Sequence, residues 1–131
     1  MKQSKRHQTG LEQFKAIDSE AVEKIIDELK DVSPELGNYI IEYAYGDIYS
    51  RKELDLKSKE IAIIAALTAL GNAQPQLKFH INAGLNIGLT EIEIKEIILL
   101  MSVYAGFPAA LNGTAILKEV IKARNLNKNK Q

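Results

Sequence analysis

The sequence predicts an all-α protein of about six helices joined by short connections. Three observations support this class: apolar residues recur at helical spacing, capping residues flank these stretches, and each of the three prolines stands where a helix can begin. Proline is tolerated in a first helical turn because its missing N–H has no partner there. We expect one domain over residues 1–131, because this length is usual for a single domain.

Two helices are predicted in the first third of the chain. Residues 18–30 follow a capping residue, Asp18 or Ser19, and bring four apolar residues onto one face: Val22, Ile25, Ile26 and Leu29. Ser33 caps the next helix, which Gly46 and Asp47 end or bend. One face of this helix carries Leu36, Tyr39, Ile40 and Tyr43. We expect Tyr39 and Tyr43 to belong to the core.

The third predicted helix is apolar nearly all round, and this predicts burial on most sides. It follows Asp55 and stops at Gly71-Asn72, a pair suited to a C-terminal turn. So small a chain can hardly cover it, and the sequence therefore favours a homo-oligomer over a compact monomer. Small residues that allow close helix approach point the same way: Ala105, Gly106, Ala109, Ala110 and Gly113.

The remaining helices have clear boundary signals. Pro75 opens the fourth helix, and Gly88 closes it. Thr90 and Glu93 form a capping box at the start of the fifth, whose predicted core face is Ile94, Ile97, Ile98 and Met101. The last helix runs from about Pro108 to about Ala123. We expect residues 1–9 and 125–131 to be flexible tails.

The composition excludes several classes of protein. Lys+Arg and Asp+Glu both number 17, whereas a nucleic-acid-binding domain usually carries a basic surplus. The absence of Cys excludes disulfides, thiolate chemistry and Cys-based zinc sites. With one histidine in the body of the chain and no Cys, we expect no metal site.

The N-terminus and the apolar runs indicate where in the cell the protein is expected. The stretch "MKQSKRHQTG" is basic but has no apolar stretch behind it, so it is not a secretory signal. The longest apolar run, residues 61–67, is far short of the roughly 20 residues that span a bilayer. We therefore expect a cytoplasmic protein without a membrane partner.

His80 is the first candidate for chemistry. On a helix it shares its face with Leu77, Gly84 and Ile87. An imidazole in apolar surroundings is neutral near pH 7 and can give or take a proton, and Gly84 could leave room for a ligand. On composition alone, the commoner explanation is a structural histidine with one hydrogen-bond partner.

The polar start of the third helix and two tyrosines are further candidates. Arg51 and Lys59 could bind an anionic substrate, and Glu60 stands where the sequence turns apolar and could relay protons. Tyr49 and Tyr104 lie at segment ends, where a phenol can reach into a cavity. The alternative for residues 51–60 is a solvated, salt-bridged helix start, and composition does not choose between these.

Five stretches together resemble the carboxymuconolactone decarboxylase family, from about Arg6 to Ala123. In chain order they are "RHQTGL", "YGDIYSRKEL", "IAIIAALTALGN", "LKFHINAGLNIGLTEIEIKEIIL" and "YAGFPAA". The resemblance implies an alkylhydroperoxidase D-like helical subunit in a ring-like homo-oligomer, with a hexamer favoured and a trimer possible. It also implies decarboxylation of a small lactone dicarboxylate in aromatic catabolism, without metal or organic cofactor.

The resemblance assigns residues as well. His80 falls on the family's histidine and Arg51 on its arginine, while Asp47 replaces a usual glutamate and Tyr49 a usual tryptophan. Two departures weaken the case for a dicarboxylate substrate. Lys59 and Asn72 stand where the decarboxylases usually have arginine, and a lysine offers a point charge in place of a planar fork.

The related alkylhydroperoxidase D-like branch carries a Cys-x-x-Cys pair shortly before the histidine. The corresponding positions, about Ala73 and Gln76, hold no thiols, so thiol peroxidase activity is excluded. The Lys59-Glu60 pair nevertheless resembles the helix start of that branch. Glu60 is therefore a candidate relay partner of His80.

We accordingly expect a lyase-like enzyme that acts without a cofactor on a small anionic, lactone-type substrate. His80 is the expected general acid and base, with Glu60 or Asp47 as its orienting partner. The expected substrate-binding residues are Lys59, Arg51, Tyr49 and Tyr104. Two alternatives stay open: a non-catalytic small-molecule-binding or scaffold protein, and another proton-transfer reaction in the same pocket.

Overall fold

A computed structural model describes residues 3–130 of the chain. These residues form seven α-helices and one π-helix, and no strand occurs among them. The helices are α1 (Lys5–Ile17), α2 (Ala21–Leu29), α3 (Pro34–Tyr39), the π-helix (Ile40–Tyr49), α4 (Leu56–Leu70), α5 (Gln74–Asn86), α6 (Glu91–Tyr104) and α7 (Phe107–Asn129). The all-α prediction is therefore confirmed.

The chain divides into two compact units at Asp55 and Leu56. Unit 1 contains α1 to α3 and the π-helix, and unit 2 contains α4 to α7. Each unit is described by itself below. The prediction of a single domain from chain length stays a prediction.

Unit 1 is built on the packing of α1 against the π-helix. Two glycines allow the backbones to approach. A Cβ at Gly10 would lie 1.9 Å from the carbonyl oxygen of Ile41, and one at Gly46 would lie 2.6 Å from that of Arg6. The rings of Phe14 and Tyr45 stack nearby, with centroids 4.2 Å apart, and both residues are buried.

The π-helix departs from the predicted structure. The sequence indicated an α-helix ended or bent at Gly46 and Asp47, whereas helical structure continues in π form to Tyr49. The prediction that Tyr39 and Tyr43 belong to the core is wrong, because both lie on the surface of the chain and are 65% and 59% exposed. A change from α to π geometry shifts which side chains share a face.

Unit 2 has the main apolar core, to which all four of its helices contribute. Its buried side chains are Ile64, Leu77, Ile81, Leu89, Ile94, Ile98, Leu117 and Val120. Gly113 of α7 lies against α4 and α6, where a Cβ would come within 3.1 Å of side-chain carbons of Thr68 and Ile98. This small residue therefore serves packing within the chain.

Most of the predicted helix boundaries hold. Thr90 and Glu93 make the predicted capping box, with both hydrogen bonds at 3.0 Å. Gly71 and Gly88 follow α4 and α5 with positive φ angles of 75° and 107°. Ile61 and Leu70 of α4 are exposed in the chain by itself, as expected for a helix that so small a chain can hardly cover, and the burial of α4 between subunits stays a prediction.

The two ends of the chain contain helical residues that the sequence did not predict. α1 begins at Lys5, inside the segment taken as a tail, and α7 continues beyond Ala123 to Asn129. Residues 1, 2 and 131 lie outside the described range. Within that range, none of the helices is both long and apolar enough to cross a membrane.

Candidate active site

The centre of the candidate site is a contact between α4 and α5 in unit 2. Glu60 lies in the second turn of α4 and His80 in the second turn of α5. The Nδ1 atom of His80 is 3.0 Å from Oε2 of Glu60 and 3.4 Å from Oε1. The Glu60 side chain is fully buried, and the His80 side chain is 15% exposed.

The burial of Glu60 has a direct consequence. A carboxyl group withdrawn from water needs hydrogen-bond partners inside the protein. The imidazole supplies one of them, because a protonated Nδ1 donates to the carboxylate oxygen. This contact leaves Nε2 as the ring nitrogen that does not face Glu60.

Phe79 restricts the same imidazole from another side. Its ring centroid lies 4.8 Å from that of His80, at an interplanar angle of 80°. Edge-to-face contacts of this kind are favourable beyond the area they bury. The ring of His80 is therefore positioned both by a carboxyl group and by an aromatic neighbour.

The suggestion that Gly84 leaves room for a ligand is wrong. A Cβ at Gly84 would lie 3.0 Å from Cδ1 of Leu89 and 3.3 Å from Cδ1 of Ile64. Side chains of the core already fill this space, and Gly84 is buried for close packing. Any open space beside His80 must lie elsewhere around the ring.

Of the two acids considered as partners of His80, the structure brings Glu60 to the imidazole. Asp47 instead forms a bidentate ion pair with Arg6 inside unit 1. Its Oδ2 lies 2.7 Å from Nη2 of Arg6, and its Oδ1 lies 3.0 Å from Nε. The hydrogen bond from Arg6 lowers the pKa of Asp47, and the same pair raises the pKa of Arg6.

The four predicted substrate-binding residues have different surroundings. Lys59 is half-buried and directly precedes Glu60 on α4. Tyr104 is the last residue of α6 and is 79% exposed. In unit 1, Tyr49 is buried with its ring 5.2 Å from that of Tyr45, whereas Arg51 is exposed, with Nη2 3.9 Å from Glu53.

Two contacts of the predicted site residues were missed by sequence reasoning. The partner of Asp47 is Arg6, which belongs to a helix that was not predicted. The signal was present, because the buried residues of α1, Gly10, Phe14 and Ile17, recur at helical spacing. Phe79 gave no signal, since contact between adjacent rings depends on side-chain rotamers.

No group of three or more His, Asp or Glu side chains in residues 3–130 is arranged to hold a metal ion. The expectation of chemistry without metal or cofactor stays a prediction.

The sequence profile of the carboxymuconolactone decarboxylase family matches residues 34–119. The chain belongs to the carboxymuconolactone decarboxylase family. The matched range contains all seven residues predicted for the site, including His80 and Glu60. Arg6, which holds Asp47, lies outside it.

The chain is also similar to individual proteins. The chain is 33% identical to the 4-carboxymuconolactone decarboxylase of Acinetobacter baylyi over 123 residues, which cover 93% of this chain and 91% of that protein. It is 32% identical to a 15.0 kDa protein of Paracoccus denitrificans over 112 residues, 85% of this chain and 76% of that protein. It is 29% identical to the nitrosuccinic acid decarboxylase of Metarhizium robertsii over 82 residues, 63% and 57% of the two chains.

Proposed function

We propose that this protein is a decarboxylase of small organic acids in which His80 transfers the proton. The observation that carries the proposal is the 3.0 Å contact between the imidazole and the fully buried carboxyl of Glu60. Membership of the family supports it, as do two relatives whose names describe decarboxylases of small acids.

Glu60 has a positioning role in this proposal. By accepting a hydrogen bond from Nδ1–H, its carboxylate fixes the tautomer and the orientation of the ring, so that Nε2 faces the substrate. It also stabilises the imidazolium form that carries the proton to be transferred. Asp47 is not needed for this role, and we assign it to the packing of α1 against the π-helix.

The reaction has two steps. The bond between the substrate carbon and its carboxylate breaks, carbon dioxide leaves, and the electron pair stays on the substrate as an enolate. The Nε2–H of the His80 imidazolium then protonates the carbon, and the ring becomes neutral. Water returns the proton to His80 before the next turnover, and the reaction needs no oxidant or reductant.

The substrate must carry negative charge both before and after loss of carbon dioxide. We propose that Lys59 binds one of its anionic groups, whereas the assignment of Arg51, Tyr49 and Tyr104 to the substrate stays a prediction. The support for Lys59 is its position next to Glu60 on α4. A positive charge close to the reacting carbon stabilises the transition state, because negative charge develops on the substrate there. We propose a small anionic lactone as the substrate.

The experiment is a screen of small lactone and nitro acids for carbon dioxide release, run in deuterated water. The proposal predicts release together with one deuterium on the product carbon, and loss of both in His80→Gln. Deuterium exchange without carbon dioxide would indicate another proton-transfer reaction. Compounds that raise the melting temperature but never react would favour a non-catalytic binding protein. Full activity of His80→Gln would contradict the role of the imidazole.

We further propose that the chain assembles with copies of itself through an α6–α7 apolar face. This face consists of exposed side chains on both sides of the Ala105-Gly106 turn, namely Leu99, Leu100, Val103, Tyr104, Phe107 and Leu111. No charged residue occurs between positions 97 and 117. Each of the six side chains is more than half exposed, and a contiguous apolar patch of this kind is typical of a protein–protein contact surface.

Light scattering on a size-exclusion column tests this assembly. The unmodified chain should elute as a homo-oligomer, either a hexamer or a trimer. The Val103→Glu variant should elute as a smaller species, because assembly would bury the unpaired charge of the new glutamate. Ile92→Glu, an exposed apolar position nearer the start of α6, is the matched control and should leave the assembly intact. A monomer at all concentrations of the unmodified chain would contradict the proposal.

A further inference from the structure

Unit 1 has a cavity of its own, which shares no residue with the His80–Glu60 pair. It has a volume of about 250 Å³ and lies among α1, α2, α3 and the first residues of the π-helix. Its floor is apolar and includes Ile26, Leu29 and Ile41, of which Ile41 is fully buried. Polar side chains of His7, Lys30 and Asn38 stand around this floor.

His7 faces this cavity with unused hydrogen-bonding capacity. Its side chain is 14% exposed, and its Nδ1 lies 3.7 Å from the nearest oxygen of Glu42, too far for a hydrogen bond. Its backbone N–H donates to Ser4 at the start of α1. Within residues 3–130 neither ring nitrogen has a hydrogen bond, and both are reached by solvent, so both are open to a ligand.

The other polar groups of the cavity add donors. The amide of Asn38 makes no hydrogen bond within the described part of the chain. The ammonium of Lys30 is hydrogen-bonded to Asp27, and an ammonium has three donors. No carboxylate lines the cavity. The rim therefore offers donors around an apolar floor, and the charge of Lys30 is shared with Asp27.

This combination defines a chemical class of ligand. A small cavity with an apolar floor and a few converging polar groups is the usual form of a small-molecule site. Donors in a lining that holds no carboxylate of its own favour a ligand group that accepts hydrogen bonds, such as a carboxylate, and the volume limits the ligand to a compact molecule. Inorganic anions fit this cavity less well than organic anions, because they have no apolar part to pack on the floor.

We propose that this cavity is a second binding site, for a small organic carboxylate with a compact apolar body. The carboxylate interacts with His7, Lys30 and Asn38, and the body packs on Ile26 and Leu29. The site does not depend on the proposed function, because none of its residues takes part in the decarboxylation.

The two histidines of the chain make the site measurable by NMR. Each unit contains one of them, His7 in unit 1 and His80 in unit 2. In the His80→Gln variant, the only imidazole Cε1–H resonance belongs to His7. Benzoate is the probe, and benzamide, which has the same shape without the charge, is the matched control.

Titration of His80→Gln with benzoate should shift the His7 resonance to saturation, while benzamide should leave it unmoved at the same concentrations. Lys30→Met and Asn38→Ala change exposed residues and should each raise the half-saturation concentration, by about tenfold for the charged group. A His7 shift that is absent, that never saturates, or that benzamide reproduces would overturn the proposal. So would unchanged binding in both variants.

Discussion

The imidazole of His80 and the carboxyl of Glu60 are joined by a 3.0 Å contact across two helices of unit 2, and the carboxyl is withdrawn from water altogether. A buried acid held against one nitrogen of a ring leaves the other nitrogen for chemistry. The proposed function depends on these two roles: Nδ1 binds Glu60, and Nε2 transfers the proton.

Replacement of Glu60 by Gln should lower kcat by about 100-fold while changing KM little, because a neutral amide no longer stabilises the imidazolium or selects the tautomer. Steady-state kinetics on a substrate that the unmodified protein decarboxylates measure both constants. Glu119→Gln is the control, since Glu119 is exposed and pairs with Lys78. An unchanged kcat for Glu60→Gln would remove Glu60 from the mechanism.

Gly10→Ala should destabilise the protein by about 1–3 kcal/mol or more, because its Cβ would collide with the backbone of Ile41 and force α1 from the π-helix. Gly37→Ala is the matched control. A Cβ there would meet only the tip of Leu29, at 3.8 Å, so the helical alanine should be neutral or stabilising by up to about 1 kcal/mol. Urea unfolding compares the two, and equal effects would refute the close approach.

Asp47→Asn should lower stability at neutral pH and make stability less dependent on pH in acid. The hydrogen bond from Arg6 lowers the folded-state pKa of Asp47, so this contribution is present above the unfolded-state pKa, about 3.9. It is lost as the pH falls through the lowered folded-state value. Melting temperatures of the two proteins should therefore converge in acid. Asp27→Asn is the comparison, and an equal loss in both variants would count against a special role for Asp47.

Thr90→Ala should cost about 0.5–2 kcal/mol, because the N–H of Glu93 loses its capping oxygen at the start of α6. Thr114→Ala should be nearly neutral, since that hydroxyl bonds only to a carbonyl within its own helix. Chemical denaturation of both variants gives the comparison. A Thr90 variant as stable as the Thr114 variant would show that the capping box contributes nothing.

The parts of the fold that the sequence predicted are those governed by local chemistry. The capping box of Thr90 and Glu93 and the left-handed turn at Gly71 depend on residues close together in sequence. The π-helix was not predicted, because spacing arguments assume 3.6 residues per turn. Tyr43, which lies in the π-helix, was consequently given a core position that it does not have, and Tyr39 at the end of α3 is likewise exposed.

The candidate site shows the same limit. His80 and Glu60 were singled out from their types and settings, and the structure brings them into contact. Asp47 was an equally good candidate for the partner of His80, because the sequence does not show that Asp47 pairs with an arginine 41 positions away. The empty space expected at Gly84 was filled by Leu89 and Ile64, which depends on packing between helices that spacing alone does not give.

The tautomer of His80 is the most direct test of the account. Nitrogen-15 NMR of the imidazole in His7→Gln, at a pH where the ring is neutral, reports which nitrogen carries the proton. We expect a proton on Nδ1, bound to Glu60, and an unprotonated Nε2, with this preference lost in the His7→Gln, Glu60→Gln double variant. A proton on Nε2 with Nδ1 bare would contradict it.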